Sequence, residues 1–172
     1  MKTLKVLPLL LIAALCIPAA GPSRVSREAL TSGEKSLDDR LRRQGDLGLV
    51  GASRAVYLEG YGAVFSAEVT LATVQVGPFT PVTQQQMDQM KAAKLKRLPE
   101  LRNAMKQQLV AMASALNILP DEQVAIALLV VRYPGEEKVI PMQVVVQAPK
   151  RKLLDAQGAA ALDQAVRITD LY

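Results

Sequence analysis

Histidine and tryptophan are absent from this 172-residue chain, cysteine occurs once, and the aromatic residues are two Phe and four Tyr. Each absence removes a chemistry. Without histidine there is no imidazole to act as base or metal ligand. The single Cys16 sits in an N-terminal apolar segment, so a chain that loses that segment has neither a thiolate nucleophile nor a His/Cys metal set. Asn103 and Asn117 lack a hydroxyl residue two positions on, which excludes sequon glycosylation. Scarce aromatics also argue against a carbohydrate site built on ring platforms. No internal repeat and no low-complexity tract is visible.

What is present is an ordinary globular composition, half hydrophobic and 22% charged, with net charge +5. The N-terminus carries Lys2 and Lys5, then an apolar stretch from Val6 to Leu15 interrupted by Pro8, then the small residues Ala19, Ala20 and Gly21. A membrane helix needs roughly 20 apolar residues, so this shorter run predicts a secretory signal peptide over residues 1–20, cleaved near 19–21. Neither Ala19 nor Ala20 gives a clean cleavage motif, because Ile17 and Pro18 occupy the positions that favour small residues. Cys16 offers a rival reading as a lipidation site, although Leu15 stands where a small residue is normal. Loss of the segment lowers the net charge to about +3, and the remaining chain is long enough for one domain without disulfide or metal staples.

Residues 21–52 read as a polar N-terminal arm with a short helix, starting at Ser36-Leu37-Asp38-Asp39 and stopping at Gly45, with Arg40-Leu41-Arg42-Arg43 on a solvated face. From residue 53 to 172 the pattern predicts a single α+β domain. Ala63, Phe65, Ala67, Val69 and Leu71 alternate with polar or smaller residues, which is the period of a strand with one buried face. Glu59-Gly60-Tyr61-Gly62 joins that strand to the preceding Ala55 to Leu58 run as a hairpin. Thr83-Gln84-Gln85-Gln86 is a capping box opening a helix, and Pro99 predicts either a kink or a second helix running to about Asn117. Its stripe of Leu101, Met105, Leu109, Met112 and Leu116 advances by three and four residues and keeps one face on the core.

The unbroken apolar run Val124 to Val131 predicts a central strand covered on both faces. Tyr133-Pro134-Gly135-Glu136 fits a type II turn into a strand over Val139 to Ala148. Lys150 to Gln164 reads as helix broken at Gly158, and Val166 to Tyr172 as a last strand. The order argues for an α+β, two-layer domain: a largely antiparallel sheet of about five strands with helices packed on one face.

Few groups remain that can do chemistry. Gly51-Ala52-Ser53-Arg54-Ala55 superficially resembles a nucleophile elbow, but it lacks the last Gly and a His partner. A Ser-Lys dyad or paired carboxylates drawn from Glu59, Glu68, Asp121 and Glu122 define a hydrolase alternative. Gly60-Tyr61-Gly62 is too short to cradle a phosphate and predicts a hairpin tip, with Tyr61 as an exposed contact. The strongest charge feature is Lys91, Lys94, Lys96, Arg97, Arg102 and Lys106, broken only by Glu100, with Lys150-Arg151-Lys152 as a second cluster. Neither stacking aromatics nor a recognised motif accompanies it, so nucleic acid is not the expected partner. Met87, Met90, Leu95 and Leu98 among the lysines point instead to an envelope protein or an anionic membrane surface.

The expectation is therefore an exported protein, periplasmic or extracellular, acting as a non-catalytic binding or assembly module of the bacterial cell envelope. No cofactor, no metal and no transmembrane span in the mature chain are expected. A small secreted hydrolase and a protein lipid-anchored through Cys16 are the alternatives, and Tyr61 with the basic face of the long helix is the candidate partner surface.

Overall fold

The computed structural model describes residues 25–45, 47–72 and 81–172. The expected signal segment, its cleavage site and Cys16 lie outside the described residues. The elements run α1 (Arg27–Arg42), β1 (Gly48–Leu58), β2 (Gly62–Thr70), α2 (Gln84–Ala115), β3 (Gln123–Val130), β4 (Gln143–Pro149), α3 (Lys150–Asp155), α4 (Ala159–Ala165) and β5 (Arg167–Leu171).

The five strands form one sheet in sequence order, β1-β2-β3-β4-β5. Neighbours pair antiparallel except β2 and β3, whose parallel pairing requires the long return supplied by α2. This is the expected α+β class, with a mixed, largely antiparallel sheet. Phe65 on β2, Ile126 and Leu128 on β3, and Val144 and Val146 on β4 are fully buried against Leu101, Met105 and Leu109 of α2 and Leu37 and Leu41 of α1. The helices therefore share one face of the sheet.

Several local expectations have direct counterparts. The β1-β2 hairpin turns at residues 59–61, where the Tyr61 amide donates to the Leu58 carbonyl at 3.0 Å. Gly62 follows at φ 129°, and a Cβ there would collide with the Gln123 backbone, so only glycine lets β2 start against β3. Thr83 and Gln86 form the capping box of α2. The Glu136 amide donates to the Tyr133 carbonyl at 3.1 Å to close the Pro134-Gly135 turn, and Gly158 separates α3 from α4.

Other expectations need correction. Residues 25–52 do not form a polar arm outside the domain: α1 begins at Arg27, capped by Ser26, and buries Leu30, Leu37 and Leu41. Its polar composition hides burial achieved by hydrogen bonding. The Ser53 amide donates to Asp38 Oδ1 at 2.9 Å, the Ala55 amide donates to Glu34 Oε1 at 2.8 Å, and Ser53 Oγ donates to the Glu34 carbonyl at 2.8 Å. The acids of α1 thereby satisfy donors on the outer edge of β1, which otherwise stands open to pairing.

Pro99 does not divide the long helix. It sits on an exposed position of the continuous 32-residue α2, with Leu98 and Leu101 anchored in the core on either side, so the missing backbone bond faces water. Nor is β3 covered on both faces along its whole length. Among the described residues the helices lie on the side of Val124, Ile126, Leu128 and Val130, and on the other side burial fades from Ala125, which is buried, through Ala127 to Leu129, which is 47% exposed.

Candidate functional site

The basic residues of α2 do not form one surface. Advancing four, four and three residues from Met90 places Lys94 in line with Leu98 and Leu101, on the face turned to the core. Lys94 is fully buried: its ammonium donates to Glu136 Oε2 at 2.7 Å and to the Val131 carbonyl at 3.2 Å, and lies 4.4 Å from the centre of the Tyr133 ring. It is therefore not available to a partner, and its role is to tie α2 to the β3-β4 connection. The other Glu136 oxygen is buried without a hydrogen bond.

Arg97 donates to the Leu71 carbonyl at 2.6 Å, Arg102 pairs with Asp170 on β5, and Lys106 pairs with Asp163 on α4. Lys91 lies near Glu137, whose carboxyl is held below its ordinary value by its own backbone amide, then by the Gly135 amide, with Arg132 and Lys91 adding attraction. Lys96 alone of the six is exposed outright. Charges that looked like a docking surface along the sequence are mostly spent on joining α2 to its neighbours.

The carboxylates of the hydrolase alternative do not converge. Glu59 lies in the hairpin turn, whereas Glu68 pairs with Val50 at the far end of β2, about 20 Å away at roughly 3.3 Å per residue. Asp121 is exposed and ion-paired with Arg151 at 2.6 Å. Glu122 is buried and structural, accepting from the Tyr57 hydroxyl at 2.7 Å and the Leu119 amide at 2.7 Å. Ser53 is buried against α1, with no lysine beside it in its hydrogen bonds. Among the described residues no group of three or more Asp, Glu, Cys or His is placed to hold a metal ion.

The face of the sheet that the helices leave open is different. Register brings Val56, Val64, Ala125, Gln147 and Arg167 into one row across all five strands, and Arg54, Ser66, Ala127, Val145 and Thr169 into the next. A third row runs Val50, Glu68, Leu129, Gln143 and Leu171. Val50, Val56, Leu58, Leu129 and Leu171 on this side are each 44% to 47% exposed. Of the sequence-based candidates, Tyr61 belongs here. Its hydroxyl donates to Gln147 Oε1 at 3.1 Å, so the side chain reaches from the hairpin tip past β3 to β4.

Beside Gln147, at the end of β4, lies a groove of about 300 Å³ lined by Gln123, Gln147, Lys152, Gln164 and Arg167, with no acidic residue. A larger cleft of about 490 Å³ between α1, α2 and α4 sets Arg40 and Lys106 against Glu100 and Asp163 and so has no net sign. Sequence reasoning noticed Lys152 but missed Gln123, Gln147, Gln164 and Arg167. The trace they left is positional: Gln143, Val145 and Gln147 alternate with the buried Val144 and Val146, marking one wet face of a strand. No protein-family model, no curated protein and no solved structure matches this chain.

Proposed function

We propose that this protein is an exported, non-catalytic binding or assembly module of the bacterial cell envelope, and that its partner is a protein that docks on the open face of the sheet. The observation that carries the reading is the set of half-exposed aliphatic side chains, Val50, Val56, Leu58, Leu129 and Leu171, projecting from one side of a single sheet. Half-exposed aliphatic side chains interspersed with polar ones, as Glu68 and Gln143 intersperse Val50, Leu129 and Leu171, are in keeping with a protein contact site. An anionic membrane would favour a basic rim around inserted side chains, but this face mixes Arg54 and Arg167 with Glu68. Export is read from the N-terminal segment, and the mature chain is expected to begin near Ala20; an acylated Cys16 in the mass spectrum of the mature N-terminus would make it a lipid-anchored protein instead.

A photo-crosslinking amino acid placed singly at Val56, Leu129 and Lys96 in intact cells tests the surface. The expected outcome is one recurrent protein adduct at Val56 and Leu129 and none at Lys96. Adducts confined to Lys96 would move the docking surface to the outer side of α2, and phospholipid adducts at Leu129 would replace the protein partner with a membrane.

A further inference from the structure

Gln147 and Arg167 are direct partners across β4 and β5, which places their side chains on the same face with Cβ atoms about 5 Å apart. Gln123 lies diagonally across from Gln147 on β3, because Ala125 pairs with Gln147 and Gln123 with Pro149. From below the sheet end, Lys152 of α3 and Gln164 of α4 complete the wall of the groove. Three amides and two cations therefore meet around about 300 Å³ of open space with no carboxylate among them.

Several cations that join the helices to the rest of the fold are engaged. Lys94, Arg102, Lys106 and Arg151 are each bound to an acid, and Lys150 donates to the Leu116 carbonyl at 2.7 Å. The side chains of Lys152 and Arg167 make no hydrogen bond or ion pair among the described residues. The amides are also prepared. The Tyr61 hydroxyl donates to Gln147 Oε1, which engages the acceptor end of that amide and leaves its two N–H donors without a partner among the described residues.

We infer that this groove binds a small carboxylate-bearing ligand. The Arg167 guanidinium offers the planar fork that matches a carboxylate, Lys152 adds a second point charge, and the glutamine amides supply neutral donors around them. A volume of about 300 Å³ admits a molecule of the size of a short dicarboxylic acid or an amino-acid derivative. Tyr61 acts as a positioning residue, setting the orientation of Gln147 without needing to touch the ligand. The groove borders the docking face proposed above, since Gln147 and Arg167 share a row with Val56, but its test is separate, because the readout is a small molecule and not an adduct at Val56 or Leu129.

The test is to titrate the purified protein with glutarate, its uncharged counterpart glutaramide, and inorganic phosphate, following the glutamine side-chain amide signals by NMR. Glutarate is expected to shift the signals of Gln123, Gln147 and Gln164 with an affinity that weakens as salt is raised, while glutaramide shifts none. Arg167→Gln is expected to weaken glutarate binding roughly tenfold and Tyr61→Phe about threefold, with Lys96→Gln unchanged. Tighter binding of phosphate than of glutarate would overturn the carboxylate assignment. No response to glutarate, or a response that Arg167→Gln leaves untouched, would overturn the site.

Discussion

The two faces of this sheet are cut from the same strands, yet they obey different rules. On the helix side Phe65, Val69, Ile126, Leu128, Val144 and Val146 are fully buried, and the fully buried Lys94 is met by Glu136. On the open side, one residue along each strand, Leu129 and Val56 are half exposed and Arg54 and Arg167 have no acid partner. Side-chain type alone does not make the difference, since β3 turns Leu129 to the open side, half exposed, and the equally apolar Leu128 to the helices, fully buried, although Ala125 on the open side is itself buried. Connection geometry makes it. The excursions through α2 and through α3 and α4 return to the same side, and α1 joins them there, leaving an apolar surface that stability of the fold does not account for.

The largest effect that would sharpen this contrast is expected at Lys94. Lys94→Ala removes the counter-ion of a carboxylate that is 5% exposed and leaves Glu136 charged with only the Tyr133 amide donating to it, which costs about 3–5 kcal/mol when a buried pair is broken from one side. Urea denaturation measures it directly. Replacing both partners, Lys94→Met with Glu136→Leu, is expected to recover most of that loss, because the penalty belongs to the unpaired charge and not to the absence of the bridge. A loss below about 1 kcal/mol for Lys94→Ala would show the pair to be hydrated and would erase the distinction between the two faces.

A smaller effect is expected where α1 rides over the sheet. A Cβ on Gly33 would stand 2.5 Å from Cε1 of the fully buried Phe65, so the helix is as close as glycine allows. Alanine favours the helix by about 1 kcal/mol, but overpacking a filled core costs roughly 1–3 kcal/mol. Gly33→Ala should therefore lower stability by about 1 kcal/mol in the same denaturation experiment, where an exposed helical glycine would gain. A gain here would mean that α1 is not seated on Phe65, and the covered face would end at β2.

Much of this architecture is legible from local signals, and the boundary of legibility is physical. The alternation in β2, the Thr83-Gln86 box, the turn at Pro134-Gly135 and the break at Gly158 are each written within a few residues, and the structure has each of them. The burial of α1 is not written that way, because it depends on Glu34 and Asp38 meeting amides of Ser53 and Ala55 that lie 15 to 21 residues ahead. Lys94 left a partial trace, standing on the apolar spacing between Met90 and Leu98, but its partner is 42 residues away. The groove is the least legible of all. Gln123, Gln147 and Arg167 are unremarkable polar residues until the registers of two strand pairs bring them side by side.

The smallest stability change is expected on the open face, and it is the most informative because it separates folding from docking. Leu129→Gln removes a half-exposed aliphatic side chain between Glu68 and Gln143 in its row and substitutes a polar one of similar length. With no cavity created and water already in contact, the change should stay within about 0.5 kcal/mol. If the face is a contact surface, the same substitution should nevertheless abolish the adduct formed from a crosslinker at Val56, since it removes the aliphatic contact between Glu68 and Gln143 and puts an unmatched amide in its place. A loss of several kcal/mol would instead place Leu129 in the core and make the two faces alike, while unchanged stability together with an unchanged adduct would move the partner to another part of the open face. The contrast between the faces therefore stands or falls on a residue whose removal the isolated fold should scarcely register.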